Sequence, residues 1–155
     1  MNDILYLLTD IVRFDGFTVA KGIYVDRRPT GSRTIDISGE DYGYIVSHKW
    51  YGQQNYQNNR TWTLTLTGLQ SNNVKIYFEQ FDVEKGDAEC YDYLQIDSLY
   101  KLCEKPTNPI IVNVDLSTNE ISFTFTTDNS IGRKGFWLRY KGMSFSLFAK
   151  VSEVY

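Results

Sequence analysis

Three stretches of the chain alternate apolar and polar residues with a period of two, the pattern of strands buried on one face. Trp62, Leu64 and Leu66 alternate with threonines, Ile121, Phe123 and Phe125 alternate with Ser122, Thr124 and Thr126, and Val74, Ile76 and Phe78 open a third run. Shorter runs of similar character lie at Gly22–Asp26, Thr34–Ile37, Tyr44–Val46, Leu94–Ile96, Ile110–Leu116 and Phe136–Tyr140, with a last one around Phe145 and Leu147. Polar, turn-forming segments separate them, notably Gly68–Asn73, Ser117–Asn119 and Asp128–Gly132. Roughly eight to ten short strands with hardly any helix predict an all-β fold, a two-sheet antiparallel sandwich of jelly-roll-like form.

The first 39 residues are patterned differently. Ile4, Leu7, Leu8 and Ile11 recur at helical spacing behind Asn2 or Asp3, which predicts one short N-terminal helix. With Leu5, Val12, Phe14 and Phe17 they form too much apolar surface to leave in water, so this segment is expected to pack on the sandwich. Arg27–Gly31 reads as a turn, and Arg27, Arg28 and Arg33 as a solvated face.

Composition narrows the function. The 155 residues carry a net charge of -3, which gives no basic footprint for nucleic acid. No apolar run approaches the roughly 18 residues of a membrane span. The opening stretch does not match a secretory leader, because Asp3 stands where positive charge belongs and no small-residue cleavage site follows; a mature or truncated chain is expected. His48 is the sole histidine, expected at the surface, and no G-x-S-x-G is present, so nucleophilic catalysis is not expected. Glycoside hydrolysis needs two carboxylates facing one cleft. Asp82 and Glu84 share a strand face, but Glu79 is an odd step away, and the chain is short for the walls such a cleft needs.

The chemistry concentrates between Val74 and Cys103, where Asp82, Glu84, Asp87, Glu89 and Asp92 fall within eleven positions. Such a stretch can supply the oxygens that Ca²⁺ requires, or simply be a soluble turn. An EF-hand is excluded, since a frame from Asp82 places Asp87 where that loop needs glycine. Cys90 and Cys103 are the only cysteines, and their spacing leaves open a disulfide, a reduced core pair or half a metal site. With a single histidine, a Cys/His zinc site lacks ligands. Asn59-Arg60-Thr61 is an N-glycosylation sequon. Trp50, Tyr51, Tyr56 and Tyr91 offer an aromatic platform on which a calcium-dependent carbohydrate-binding module could be built.

In order along the chain, Gly43-Tyr44-Ile45-Val46-Ser47, Asn55-Tyr56, Trp62-Thr63-Leu64, Phe81-Asp82-Val83-Glu84, Cys90-Tyr91-Asp92-Tyr93-Leu94-Gln95-Ile96, Cys103, Phe123 to Asp128 and Gly135-Phe136 resemble a CUB domain. The resemblance covers about residues 40 to 142, leaving residues 1–39 as an N-terminal extension and 143–155 as a C-terminal strand or tail. It departs from the family in three places. Arg60 replaces the cysteine of a first disulfide, which is also missing from the leading CUB domains of complement proteases. Ser47-His48 stands for Ser-Pro, and Glu104 for a glycine.

The resemblance implies a secreted, non-enzymatic interaction module, sometimes an accessory domain of a secreted protease. It implies a Cys90–Cys103 disulfide and a Ca²⁺ held by Glu84, Asp92, Asp128 and the Ser130 carbonyl, with Tyr56 supporting the ligands by hydrogen bonding. It further implies that Glu84 and Asp128 contact an exposed lysine of a partner protein, with Tyr42 and Tyr91 lining the approach.

Overall fold

Alternation becomes architecture in a computed structural model, which describes residues 12–14, 17–19, 22–25, 31–38 and 40–143. The strands are β1 (Val12–Phe14), β2 (Phe17–Val19), β3 (Gly22–Tyr24), β4 (Gly31–Asp36), β5 (Tyr42–Val46), β6 (Arg60–Thr67), β7 (Asn73–Asp82), β8 (Tyr93–Ile96), β9 (Tyr100–Leu102), β10 (Ile110–Asn113), β11 (Ile121–Thr127) and β12 (Gly135–Met143). β1 and β2 pair with each other. The rest form two five-stranded sheets, ordered β10-β7-β12-β5-β3 and β4-β6-β11-β8-β9. This is the expected all-β sandwich.

The inward residues of the two sheets make one core. Trp62, Leu64 and Leu66 of β6 meet Ile121, Phe123 and Phe125 of β11 and, across the sandwich, Ile76, Phe136 and Leu138. The threonines between them face outward and pair across strands, Thr63 with Thr124 and Thr65 with Ser122, each at 2.9 Å. Apolar burial drives the inner face while hydroxyl pairs hold register on the outer one.

Two features depart from a purely antiparallel sandwich. β3 pairs with β5 and β4 with β6 in parallel, so the segment before residue 40 supplies one edge strand to each sheet. The β7–β12 ladder shifts register between Trp137 and Leu138, leaving Glu79 as an extra residue on β7. No helix occurs among the described residues; the helix expected over Ile4 to Ile11 and the last strand expected at Phe145 and Leu147 lie outside them.

Candidate metal centre

The candidate site grows from the ends of three strands. β7 terminates at Asp82, Val83 turns into the core, and Glu84 follows, 5% exposed. The chain then makes an acidic turn closed by Gly86 N–H to Glu89 O at 2.9 Å, and returns so that Asp92 N–H donates to Glu84 O at 3.1 Å. Asp92 immediately precedes β8 and is fully buried. Asp128 follows the last residue of β11.

Cys90 and Cys103 are bonded to each other, anchoring the acidic turn to the segment after β9. The open alternatives for these cysteines resolve to the disulfide.

Carboxylate oxygens of Glu84, Asp92 and Asp128 all lie within 4.8 Å of one another. Asp92 is fixed on both oxygens: Oδ2 accepts the Tyr56 hydroxyl at 2.6 Å and Oδ1 accepts Asp128 N–H at 2.6 Å. The Tyr56 hydroxyl also accepts Glu84 N–H at 2.9 Å, so one phenol positions two of the three acids. Asp128 Oδ1 accepts Ser130 N–H at 2.8 Å, and Asp128 O accepts Asn59 N–H. One oxygen, Glu84 Oε2, is buried with no hydrogen-bond partner.

Burial and repulsion from neighbouring acids push two of them, Glu84 and Asp92, upward. The Glu84 carboxyl is raised by desolvation first, then by Asp128 and Asp92. Asp92 is raised by desolvation, against the hydrogen bonds from Tyr56 and Asp128, and the Tyr56 phenol is itself driven far above its usual range by burial and by Asp92. Buried carboxylates of like charge with an orphaned oxygen are costly unless a cation pairs them. Three oxygen donors converging without nitrogen or sulfur match the preference of Ca²⁺.

The loop between β5 and β6 seats Tyr56 against this cluster. Its ring packs edge-on against Phe125 at 5.1 Å and against His48 at 6.3 Å. His48, expected at the surface, is instead 3% exposed. Its Nε2 faces the Gln54 carbonyl at 2.8 Å and therefore carries the proton, while Nδ1 accepts from Ser47 Oγ at 2.8 Å. Ser47 Oγ in turn accepts Phe136 N–H at 3.1 Å. The burial of Ser47 and His48 was not legible from residue type, because a short polar loop carries no periodicity from which burial could be read.

Other expected site residues fall differently. Tyr91 is 46% exposed and lies over Gly86, beside the acidic turn. Tyr42 does not join the cluster. It pairs with Lys141, at the opposite end of β12 from Gly135, which is the residue that pairs with Asp82. Strand register puts it near the far end of the sheet. The four-aromatic platform also does not form, since Tyr51 is 7% and Tyr56 3% exposed, both turned inward. Asn59 is exposed, with a positive φ of 54°, and Arg60 beside it reaches Gln57.

The CUB domain family model matches residues 36–140. Bone morphogenetic protein 1 of Xenopus laevis is 28% identical over 110 residues, 65% of this chain but 15% of that protein. Human Tolloid-like protein 1 is 27% identical over 110 residues, 65% of this chain and 10% of its own length. Among solved structures, the CUB1-EGF-CUB2 region of human MASP-1/3 superposes with a TM-score of 0.58 at 24% identity, over 72% of this chain and 41% of that one. The MASP-1 CUB2 domain bound to Ca²⁺ superposes with a TM-score of 0.53 at 24% identity, over 68% of this chain and 99% of that domain. These structures share the sandwich.

The chain belongs to the CUB domain family.

Proposed function

We propose that this chain is an extracellular, non-catalytic interaction module that binds Ca²⁺ through Glu84, Asp92, Asp128 and the Ser130 carbonyl and uses the loaded site to recognise a lysine on a partner protein. The observation that carries this reading is the convergence of the three carboxylates, with Asp92 and Glu84 buried and Glu84 Oε2 unpartnered. A related domain of the same fold is described as bound to Ca²⁺, which agrees with it.

The bound ion would supply positive charge at a site whose own residues repel one another. Tyr56 holds Asp92 and the Glu84 backbone in place, so ordering of the loops does not depend on the metal alone. Three carboxylates around one Ca²⁺ leave a net charge of about -1, suited to a compact ammonium on a flexible stem. Glu84 and Asp128 are the acids that would share oxygens with it, with exposed Tyr91 beside the approach. A single contact of this kind is weak and salt-sensitive, so firm binding comes from several copies together.

The test is thermal melting with and without millimolar Ca²⁺, followed by binding to a polylysine-coated surface in Ca²⁺ and in chelator. The expected result is a Ca²⁺-dependent rise in Tm, equivalent to roughly 2.7 kcal/mol when Ca²⁺ is a hundredfold above Kd, and polylysine binding only with the metal. Glu84→Ala and Asp128→Ala should abolish both while the sandwich survives. An unshifted Tm would remove the calcium reading. Chelator-resistant polylysine binding would remove the lysine reading.

A further inference from the structure

The outer face of the first sheet, away from the carboxylate cluster, carries more positive charge than the protein neutralises. In the β7–β12 ladder Lys75 is directly opposite Lys141, and Arg139 is directly opposite Tyr77 one step along the same face. Like charges placed directly opposite each other destabilise a sheet. Arg139 reaches one acid, Glu79, at 3.3 Å, but neither lysine has an acidic partner among the described residues. The cations are also held close together. The Arg139 guanidinium lies 4.0 Å and the Lys75 ammonium 5.3 Å from the centroid of the same Tyr77 ring. In a chain of net charge -3, this concentration does not follow from overall composition.

On the next strand Tyr42 is opposite Lys141 and Tyr44 opposite Arg139, so two tyrosines flank the cations. Their hydroxyls are joined at 2.8 Å and their rings meet edge to face at 5.7 Å, with Tyr42 48% exposed. We propose that this face binds a sulfated polysaccharide, with Lys75, Lys141 and Arg139 holding sulfate groups and Tyr42 and Tyr44 packing against the sugar rings.

Charge complementarity selects an anionic ligand, and the strands select among anions. β7 and β12 are interior strands with both neighbours in place, so an acidic peptide would find no free backbone edge to pair with. A repeating sulfated polymer needs only side chains, and tyrosine rings suit the apolar faces of sugars. This surface is independent of the calcium reading, and it uses other aromatics than the platform that the structure does not form.

The experiment measures binding of the full chain to immobilised heparin, with unsulfated heparosan, polyglutamate and single-stranded DNA as competitors, in Ca²⁺ and in chelator. The expected results are binding that weakens with salt, competition by none of the three at equal charge or mass, and no effect of chelator. Lys75→Ala/Lys141→Ala should weaken binding at least tenfold, with a Tm equal to or above that of the parent because the opposed charges are gone. Lysine variants that bind heparin as tightly as the parent would overturn the proposal. So would equal competition by heparosan. Stronger competition by polyglutamate or DNA would assign the face to an acidic protein or a nucleic acid instead.

Discussion

Tyr56 donates a 2.6 Å hydrogen bond to Asp92 across 36 residues of sequence, and the same oxygen accepts the backbone N–H of Glu84. One hydroxyl thus couples the loop before β6 to both acidic segments.

Replacing Tyr56 by phenylalanine keeps the ring contact with Phe125 and removes only that coupling. Leaving the buried Asp92 oxygen and Glu84 N–H unsatisfied should cost roughly 1–3 kcal/mol of stability. Apparent Ca²⁺ affinity should fall by about 10- to 100-fold. Urea unfolding and calcium titration of the variant measure the two effects.

Calcium affinity should decline on acidification sooner than for ordinary carboxylates. The Glu84 and Asp92 carboxyls are both raised, so protons compete with the metal from a higher pH than their usual ranges of 4.5 and 3.8. Binding should release protons. Calorimetry in buffers of different ionisation enthalpy detects that release, and affinities measured from pH 7 downward trace the competition.

His48 should make the fold acid-sensitive in a separate window. Burial lowers its pKa below the ordinary 6.5, so the unfolded chain takes up the proton first. Its contribution is complete above about pH 6.5 and is lost as the pH falls toward the folded value. Protonation would also turn Nδ1 into a donor against Ser47 Oγ, which now donates to it. In chelator, the difference in urea midpoint between the parent and His48→Gln should shrink between pH 7.5 and 5.5.

The disulfide closes a short loop, its cysteines 13 positions apart in sequence. Cys90→Ala/Cys103→Ala should lower stability by roughly 3 kcal/mol. It should also weaken calcium binding, because the acidic turn loses its anchor. Denaturant unfolding and calcium titration test the two parts.

Gly135 holds a φ of 88°, and a Cβ there would overlap Ser47 Oγ. Gly135→Ala should therefore cost more than the roughly 1 kcal/mol that separates the two residues in ordinary backbone. It would displace the hydroxyl that accepts Phe136 N–H and contacts His48. A drop in thermal midpoint of less than a degree would contradict this.

The sandwich was readable because β6 and β11 bury one face only, so burial imprints a period of two. β4 was legible only in its second half, as the run Thr34–Ile37: its residues are exposed or half-buried, and its parallel register with β6 comes from the partner strand. The convergence of Glu84, Asp92 and Asp128 was legible through the spacing of a family pattern. Acidity alone would equally have nominated Asp87 and Glu89, which are exposed in the turn. Tyr42, carried over from the family resemblance, pairs with Lys141 at the far end of β12 from Gly135, a position that only strand register reveals. His48 was expected at the surface and is buried instead, hydrogen-bonded to Ser47 and Gln54, partners that no local pattern announces.

The central ladders of both sheets join distant parts of the chain. Thr127 pairs with Arg60 in one, and Met143 with Asn73 in the other. During synthesis, neither sheet can close its middle until its later strand has emerged. The apolar inner faces of β6 and β7 therefore wait for those strands in the nascent chain. Loop-closure entropy makes such pairing slow. A chain truncated before β12 would keep one sheet permanently open along β7 and β5, the two strands that β12 joins. Such a product should aggregate rather than persist as a smaller folded unit.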